Sequence, residues 1–344
     1  MQARELDDIT IRGFKSIASL ERLKLNPINI IIGANGSGKS NFIEVFSLLS
    51  DYKEGQESYW HDYARKSGGA EQVLHFGSKT TQETNIEFSF GDGNYLYTLK
   101  LIPTGNDSLY PKKRSLLGRE PSQSKFSFME WQVYHVHDTS KSSILRKTAK
   151  LHDNASLRPD GANLPAFLYR LKQKHPESYR LIRRTVQRVA PFFDDFLLIP
   201  DPLNEETIRL AWKHRDSDQY FGASSLSDGS LRFIVLATLF LQPESLRPSL
   251  ILVDEPELGL HPFAITLLAA MIQQAAANTQ VILSTQSPQL LDHFAPEDVL
   301  VAERIAGGTQ LTRLDSNRLA EWLEDYSLGQ LWEKNEIGGR PGAE

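Results

Sequence analysis

The stretch INIIIGANGSGKS, residues 28–40, decides the fold. INIII is typical of a buried strand, and GANGSGKS at 33–40 matches the pattern G-x-x-x-x-G-K-[ST]. Large apolar residues then recur at helical spacing, namely Phe42, Val45, Phe46 and Leu49. Glycines let backbone N–H groups converge on phosphate oxygens, and a helix start adds partial positive charge. The stretch therefore predicts a strand, a phosphate-binding loop and a helix.

A second motif, LILVDEPE at 250–257, predicts a strand that ends in two carboxylates. In a phosphate-loop site, Lys39 would reach the β- and γ-phosphates and Ser40 would ligate Mg²⁺. Asp254 would then hold the Mg²⁺, and Glu255 would orient and polarise the attacking water. Taken alone, the same residues fit a strand that ends in a solvated acidic turn.

The composition is that of an ordinary globular chain. Its 344 residues are 40% hydrophobic and 24% charged, with a net charge of −5. The absence of cysteine excludes disulfides and thiolate metal sites. The start MQARELDDIT lacks the apolar core of a signal peptide, and no run approaches the roughly 18 apolar residues of a membrane span. These features predict a cytoplasmic protein that does not associate with membranes.

The remaining sequence predicts further elements. From 86 to 137, the period-two segments IEFSF, YLYTLKLI and WQVYHVH, with GDGN and a polar stretch holding PKKR between them, predict an antiparallel sheet. Residues 163–193 have helical character, split at His175-Pro176. From 226 onward strands alternate with helices, which favours a parallel sheet covered on both faces. The tail EWLEDYSLGQLWEKNEIGGRPGAE begins as an amphipathic helix.

The ordered motifs resemble one class of ATPase. They are the opening ITIRGFKSIASLERLKL, the phosphate loop, SSLSDGSL at 224–231, the adjacent Asp-Glu followed by PELGLHP, and STQSPQLL at 284–291. This set resembles the ABC-type ATPases of the branch that contains RecF, SMC proteins and the OLD-family ATPase domains. Within it, the chain is most similar to short stand-alone bacterial "AAA family ATPase" proteins of RecF-like type.

The expected fold class is α/β, a P-loop NTPase of the ABC type with a mostly parallel core sheet, an antiparallel β subdomain and a helical lobe. Four regions are predicted: 1–140 with the phosphate loop and β subdomain, 141–222 as a basic helical lobe with strands, 223–315 as the rest of the ATPase core, and 316–344 as a helix and tail.

The resemblance implies ATP and Mg²⁺ as cofactors and a homodimer that encloses two ATP molecules. The signature motif of one subunit, here Ser227, Asp228 and Gly229, would cap the γ-phosphate held by the other. The nucleotide-binding residues that it implies are Asn35, Gly36, Ser37, Gly38, Lys39, Ser40, Asn41, Arg12 and Lys15. The alternative is that 227–229 only cap an apolar core helix.

Two positions depart from the common pattern. Asp228 stands where L-S-G-G-x has a glycine, and Gln286 stands where many ABC proteins have histidine. A glutamine cannot carry the positive charge of a histidine. We therefore expect Gln286 to act as a γ-phosphate sensor rather than a proton carrier, with slow, partner-controlled hydrolysis. The glutamine loop of the family has no obvious counterpart, and His137 and Asp138 are its weak candidates.

The spacing of the motifs narrows the subtype. Fewer than 190 residues separate Lys39 from the signature and contain no long coiled coil, so an SMC-type tether is not expected. After Asp254, 90 residues show no acidic DxD strand end, so a TOPRIM nuclease is not expected in this chain. A separate polypeptide could supply such an effector, as several bacterial defence systems do. A role as the ATPase of a membrane transporter is not expected.

Residues 141–190 carry twelve Lys and Arg against three Asp and Glu. This basic lobe could contact a DNA backbone without reading sequence, through Arg180, Arg183, Arg184 and Arg188. A solvated helical face explains the same charges.

Three functions remain open at this point. The first is an ATPase that dimerises on ATP and gates engagement of DNA or a partner, in anti-phage defence or DNA maintenance. The second is an ATP-dependent scaffold or sensor that holds a separate toxic or nuclease effector. The third is a pseudo-enzyme that binds nucleotide structurally.

Overall fold

The structure is a computed structural model that describes residues 6–52, 56, 58–118, 131–136 and 138–339. The strands of this part are, in chain order, β1 (Leu6–Phe14), β2 (Ile17–Lys24), β3 (Ile28–Ile32), β4 (Thr84–Phe90), β5 (Tyr95–Pro103), β6 (Leu109–Gly118), β7 (Trp131–Tyr134), β8 (Ala149–Lys150), β9 (Phe193–Leu197), β10 (Pro200–Asp201), β11 (Asn204–Ile208), β12 (Ala211–His214), β13 (Tyr220–Gly222), β14 (Leu250–Asp254), β15 (Gln280–Ser284), β16 (Val299–Ile305) and β17 (Gly308–Arg313). The α-helices are α1 (Lys39–Ser50), α2 (Ser58–Lys66), α3 (Ala70–Val73), α4 (Leu164–Lys174), α5 (Pro176–Val189), α6 (Asp228–Leu241), α7 (Pro262–Ala275), α8 (Pro288–Leu291), α9 (Ser316–Asp325) and α10 (Leu328–Lys334).

The described residues form two compact units. The first unit contains the described residues of Met1–Val133, Ser249–Leu252 and Gln280–Glu344. The second unit contains the described residues of Tyr134–Pro248 and Val253–Thr279. The phosphate loop therefore belongs to the first unit, and the signature region belongs to the second.

A six-stranded sheet carries the phosphate loop, in the order β17-β16-β3-β15-β14-β7. Strands β15 and β16 both pair with β3 in parallel, and β17 pairs with β16 antiparallel. The α/β fold class with a largely parallel core sheet is confirmed. Strand β15 lies between β3 and β14, so it is the neighbour of the strand that ends in Asp254.

An antiparallel sheet is also present, in the order β2-β1-β4-β5-β6. Two details of the prediction were wrong. WQVY forms β7 at the edge of the six-stranded sheet, because alternation shows that one strand face is buried but does not specify the sheet. The PKKR stretch lies inside β6, whose pairing with β5 includes Lys100 opposite Lys113. Charged side chains suit β6 because it is an edge strand in the described sheet.

The core of the first unit contains the helix face that the sequence predicted. Phe42 and Phe46 are fully buried, and Trp131 packs against Phe46 with ring centroids 5.6 Å apart. Each such aromatic side chain contributes about 1.5–3 kcal/mol by leaving water. This packing fixes α1 against the sheet, and therefore fixes the loop that precedes α1.

The second unit is built around α6, which packs against α5 and α7. Every α6 residue from Leu231 to Leu241 is buried. Helices α4 and α5 separate at His175, as predicted, since a residue before proline avoids the helical region and Pro176 needs no N–H in the first turn. Two small antiparallel sheets complete the unit, in the orders β10-β11-β8 and β13-β12-β9.

The predicted amphipathic tail helix corresponds to α9, and a second short helix, α10, follows it. Within the described ranges, no helix combines the length and the apolar character that crossing a membrane requires.

Candidate functional site

The phosphate loop lies between β3 and α1, as the sequence predicted. Gly36 and Gly38 have φ values of 80° and 102°, in the left-handed region that favours glycine. A Cβ atom on Gly36 would meet no other atom within 4 Å, so the backbone there borders open space. Lys39 begins α1, is buried, and places Nζ 2.7 Å from the Gly33 carbonyl oxygen and 3.0 Å from that of Ala34.

The chemistry of this loop fits a phosphate group. Gly38 is the N-cap of α1 and provides no side-chain cap, and the first turn of the helix has no acidic residue. Its first N–H groups therefore keep the positive end of the helix available to an anion. Ser37 Oγ is buried and has no hydrogen-bond partner among the described residues, as expected of a polar atom that a ligand completes. Asn35 and Ser40 are exposed at the same loop.

A small polar cluster that sequence reasoning missed holds the loop. Thr309 Oγ1 lies 2.7 Å from Ser16 Oγ and 2.8 Å from the Ser37 carbonyl oxygen. Asn41 Nδ2 donates to Ser16 Oγ at 2.7 Å. Ser16 belongs to the opening phrase GFKS, which offered a signal, whereas Thr309 stands in an ordinary strand pattern. The cluster joins the start of α1 to the turn between β1 and β2 and to β17.

Replacing Thr309 by valine should weaken ATP binding about 2- to 10-fold, because the loop loses a hydrogen bond of ordinary strength. Isothermal titration of the purified variant with ATP measures the change. The matched control is Thr312→Val, which makes the same replacement at an exposed position of the same strand. Equal ATP affinities for the two variants would show that Thr309 does not hold the loop.

Arg12 and Lys15 are each held by a carboxylate. Arg12 makes a bidentate salt bridge with Glu21, in which Nε and Nη2 lie 2.6 and 2.5 Å from the two carboxylate oxygens. Lys15 Nζ lies 2.5 Å from both carboxylate oxygens of Glu44, which also accepts a 2.8 Å hydrogen bond from Tyr63. Burial raises the pKa of the Tyr63 hydroxyl, so it remains a neutral donor. A role for Arg12 and Lys15 at the nucleotide stays a prediction.

A cavity of about 570 Å³ opens beside the start of α1. Lys15, Ser16 and Asn41 line it together with His75 and Phe76. The Phe76 side chain is 61% exposed. The volume lies in the range of pockets that hold small organic ligands.

Gln286 stands at the same sheet edge as the phosphate loop. Ser284 pairs with Ile31 in the parallel ladder of β15 and β3, and the Thr285 N–H donates to the Ile31 carbonyl at 3.0 Å. The carboxyl ends of adjacent parallel strands meet at one edge, so Gln286 follows β15 where Gly33 follows β3. Its side chain is exposed.

The acidic pair lies at the end of β14. Asp254 is its last residue, and both Asp254 and Glu255 are half-buried. Glu255 has φ 43°, a left-handed conformation that costs a residue other than glycine roughly 1–3 kcal/mol. The role of Glu255 at an attacking water stays a prediction.

The signature residues form the start of α6. Ser227 is its N-cap and accepts a 3.1 Å hydrogen bond from the Ser230 N–H. A Cβ atom on Gly229 would lie 2.5 Å from the Gly259 carbonyl oxygen, so this position has no space for a side chain. The Asp228 side chain is 65% exposed. Ser227 thus caps its own helix, and its action on a second subunit stays a prediction.

The basic residues of α5 divide into two groups. Arg180, Arg184 and Arg188 are exposed at four-residue spacing on one helix face. Arg183 instead donates from Nε to the Asp194 carbonyl at 2.8 Å and lies 3.4 Å from the Asp194 carboxylate. The exposed face therefore contains three of the four predicted arginines.

Of the two weak glutamine-loop candidates, His137 lies outside the described residues. Asp138 is exposed, and hydrogen bonds from Ser140 hold the pKa of its carboxyl below the usual value. Its role stays a prediction.

The fold, the phosphate loop and the ordered motifs define an ABC-type ATPase of the RecF/SMC/OLD branch. The chain belongs to the family described as "AAA domain, putative AbiEii toxin, Type IV TA system", whose model matches residues 28–292.

Two relatives in this branch are similar in sequence. The Old nuclease of Escherichia phage P2 is 21% identical over an alignment of 376 residues, which covers 94% of this chain and 63% of that protein. The DNA replication and repair protein RecF of Actinobacillus pleuropneumoniae serotype 5b (strain L20) is 22% identical over 222 residues, 55% of this chain and 58% of that protein. The chain therefore spans less than two thirds of the length of either relative.

The fold is similar to that of the SmcHead in its crystal structure with the C-winged helix domain of ScpA. The TM-score is 0.63 at 15% sequence identity, and the match covers 92% of this chain and 99% of that chain. At this identity the likeness concerns the fold alone.

Proposed function

We propose that the chain binds and hydrolyses ATP with Mg²⁺. The observation that carries this proposal is the phosphate loop, with its uncapped helix start, its open glycine and the buried Lys39. Ser40 and Asp254 would hold the Mg²⁺, and the ion would supply charge stabilisation at the transferred phosphoryl group. Glu255 would orient the attacking water and accept its proton. The cavity beside Asn41 offers space for the rest of the nucleotide.

Phosphate release from ATP by the purified chain, with and without Mg²⁺, tests this proposal. We expect ATP to bind and to be hydrolysed slowly in the presence of Mg²⁺. Chelating the Mg²⁺ should abolish turnover. Binding without any phosphate release would favour the pseudo-enzyme alternative instead.

Gln286 acts in this proposal as a sensor of the γ-phosphate. Its amide can donate to a phosphate oxygen or accept from the attacking water, and it stands at the sheet edge where the phosphate loop begins. Gln286→Ala should lower the maximal ATPase rate about 10-fold and change ATP affinity little, since one neutral hydrogen bond is removed at the reacting phosphate. Steady-state kinetics separate the two effects. Comparable rates for the variant and the parent would remove this role.

The active form in this proposal is a homodimer that encloses two ATP molecules. Ser227, Asp228 and Gly229 of each protomer would cap the γ-phosphate bound by its partner. The start of α6 supports this role because the N-terminal end of a helix carries partial positive charge, which favours a phosphate group.

ATP-driven closure would be coupled to DNA or to a separate effector protein. The exposed arginine face of α5 and the RecF relative support DNA. The family description, which names a toxin, and the nuclease relative support the second candidate, a scaffold or sensor that holds a toxic or nuclease effector. Both candidates suit anti-phage defence, and the first also suits DNA maintenance.

Reversing the charge of Arg180, Arg184 and Arg188 to glutamate should abolish most DNA binding if the first candidate is correct. For each DNA phosphate that the variant no longer neutralises, the slope of log K against log salt falls by about 0.9, so the total decrease should be roughly 2 to 3. Fluorescence anisotropy with duplex DNA at several salt concentrations measures this. Arg318→Glu is the control, since Arg318 is 86% exposed on a different helix. Unchanged binding would favour the scaffold.

A further inference from the structure

The proposed dimer raises a problem of charge at the start of α6. Asp228 is the first residue of the helix, and its carboxylate is 65% exposed. In the proposed dimer, this surface would face the triphosphate held by the partner protomer. A carboxylate beside a phosphate group repels it unless a cation neutralises the carboxylate.

Arg146 supplies such a cation. Its Nη2 lies 2.6 Å from the Asp228 carboxylate, and its side chain is only 8% exposed. The pair is separated by 82 residues in sequence, so tertiary folding alone brings it together. Asp228 is the carboxylate partner of this guanidinium among the described residues.

The rest of the guanidinium is held by backbone carbonyls of two segments, one of which directly precedes the signature. Nη1 contacts the carbonyl oxygens of Ala223 and Leu226, which precede Ser227. Nε donates to the Thr139 and Ser140 carbonyls at 3.0 and 3.2 Å. These contacts hold the guanidinium against the Asp228 carboxylate.

A second arginine, Arg232, lies one turn along the same helix. Its Nε donates to the Val136 carbonyl at 2.9 Å, and it is buried. Burial lowers the pKa of Arg232, and the charges of Asp228 and Glu257 oppose that shift. Asp228 thus stands near two fixed cations, of which Arg146 makes the direct contact.

We propose that Arg146 is a positioning residue that neutralises Asp228, so that this acidic signature accepts the γ-phosphate bound by a second copy of the chain. This inference rests on the proposed ATP-enclosing dimer. Arg146 acts through Asp228 and through the backbone of residues 223–226, without touching the nucleotide. An acid at the second signature position is then compatible with function because the same chain provides its counter-charge.

A double-mutant cycle tests the charge compensation, made in a Glu255→Gln background that retains ATP. The readout is the Kd of the ATP-dependent dimer by analytical ultracentrifugation. Arg146→Met should weaken the dimer on the order of tenfold, because the carboxylate then faces phosphate without its counter-charge. Asp228→Asn alone gives the reference Kd for the second arm of the cycle, in which the carboxylate charge is absent. Asp228→Asn combined with Arg146→Met should restore most of the dimer affinity.

The inference would be overturned if Arg146→Met weakened the dimer equally in the chain with Asp228 and in the chain with Asp228→Asn. A purely structural role of Arg146 predicts this result, because removing the carboxylate charge would then rescue nothing. Circular dichroism and the Tm of each variant serve as the folding control, because the phosphate loop lies in the other unit and ATP affinity alone would not report on the unit that contains Arg146. If Arg146→Met does not fold, Arg146→Lys replaces it. The lysine variant should dimerise with nearly the parent Kd if the positive charge at position 146 is what matters. A tenfold loss of dimer affinity in that variant would overturn the inference.

The same experiment separates this inference from the proposed function. If the Glu255→Gln parent stays monomeric with ATP, the dimer itself is refuted, and the inference is refuted with it. If that parent dimerises and the cycle shows no coupling, only the inference about Arg146 is overturned.

Discussion

Replacing Glu255 by glutamine should lower ATP turnover by about 10²- to 10⁴-fold and leave ATP binding intact. Glutamine matches glutamate in shape and tolerates the same backbone conformation at φ 43°, so only the carboxylate is removed. In the proposed mechanism, the attacking water would then lack the group that accepts its proton. Single-turnover hydrolysis of radiolabelled ATP measures the chemical step directly.

Glu321→Gln is the matched control, because Glu321 is an exposed helix residue of the first unit. Its turnover should equal that of the parent. Two outcomes would contradict the role of Glu255. One is a Glu255→Gln variant that still hydrolyses ATP at the parent rate, and the other is a parent chain that binds ATP and shows no turnover to lose.

Replacing Lys39 by alanine should weaken ATP binding roughly 10- to 150-fold, since hydrogen bonds from a charged donor contribute about 1.5–3 kcal/mol. The Lys39 ammonium contacts the Gly33 and Ala34 carbonyls, and it is the buried cation of the loop. ATP should raise the Tm of the parent, because a ligand that binds only the folded state stabilises it. The variant should lose most of this rise at the same ATP concentration.

The control for Lys39 is Lys79→Ala, which removes an exposed lysine of the same unit. Its ATP-dependent rise in Tm should match the parent. Lys39→Ala also leaves two loop carbonyls without their partner, so its Tm without ATP should fall slightly. An ATP-dependent rise as large as that of the parent would show that ATP does not bind at this loop.

Much of the fold could be predicted because its signals are local. A buried strand, a glycine loop and an amphipathic helix follow one another within residues 28–49, and each depends mainly on its own residues. The sheet membership of WQVY could not be predicted this way. Alternating burial shows that a strand has one inner face, whereas the choice of sheet depends on partners far away in sequence, here β14.

The candidate site shows the same division. Lys39, Ser40, Asp254 and Glu255 stand in recognisable motifs. The Ser16–Thr309 hydrogen bond joins residues 293 positions apart, and no local pattern marks Thr309.

Long-range contacts also changed the interpretation of charged residues. The sequence grouped Arg146 and Arg183 with the basic lobe. The structure holds Arg146 against Asp228 and Arg183 against Asp194, so their charges have partners within the chain.

The state of association of the Glu255→Gln variant tests the ATP-enclosing dimer most directly. Sedimentation velocity with saturating ATP and Mg²⁺ should show a species of twice 38.9 kDa, the mass of one chain. Without nucleotide, or with Lys39→Ala added, the 38.9 kDa species should remain. A Glu255→Gln variant that binds ATP and still sediments as a single chain would contradict the dimer.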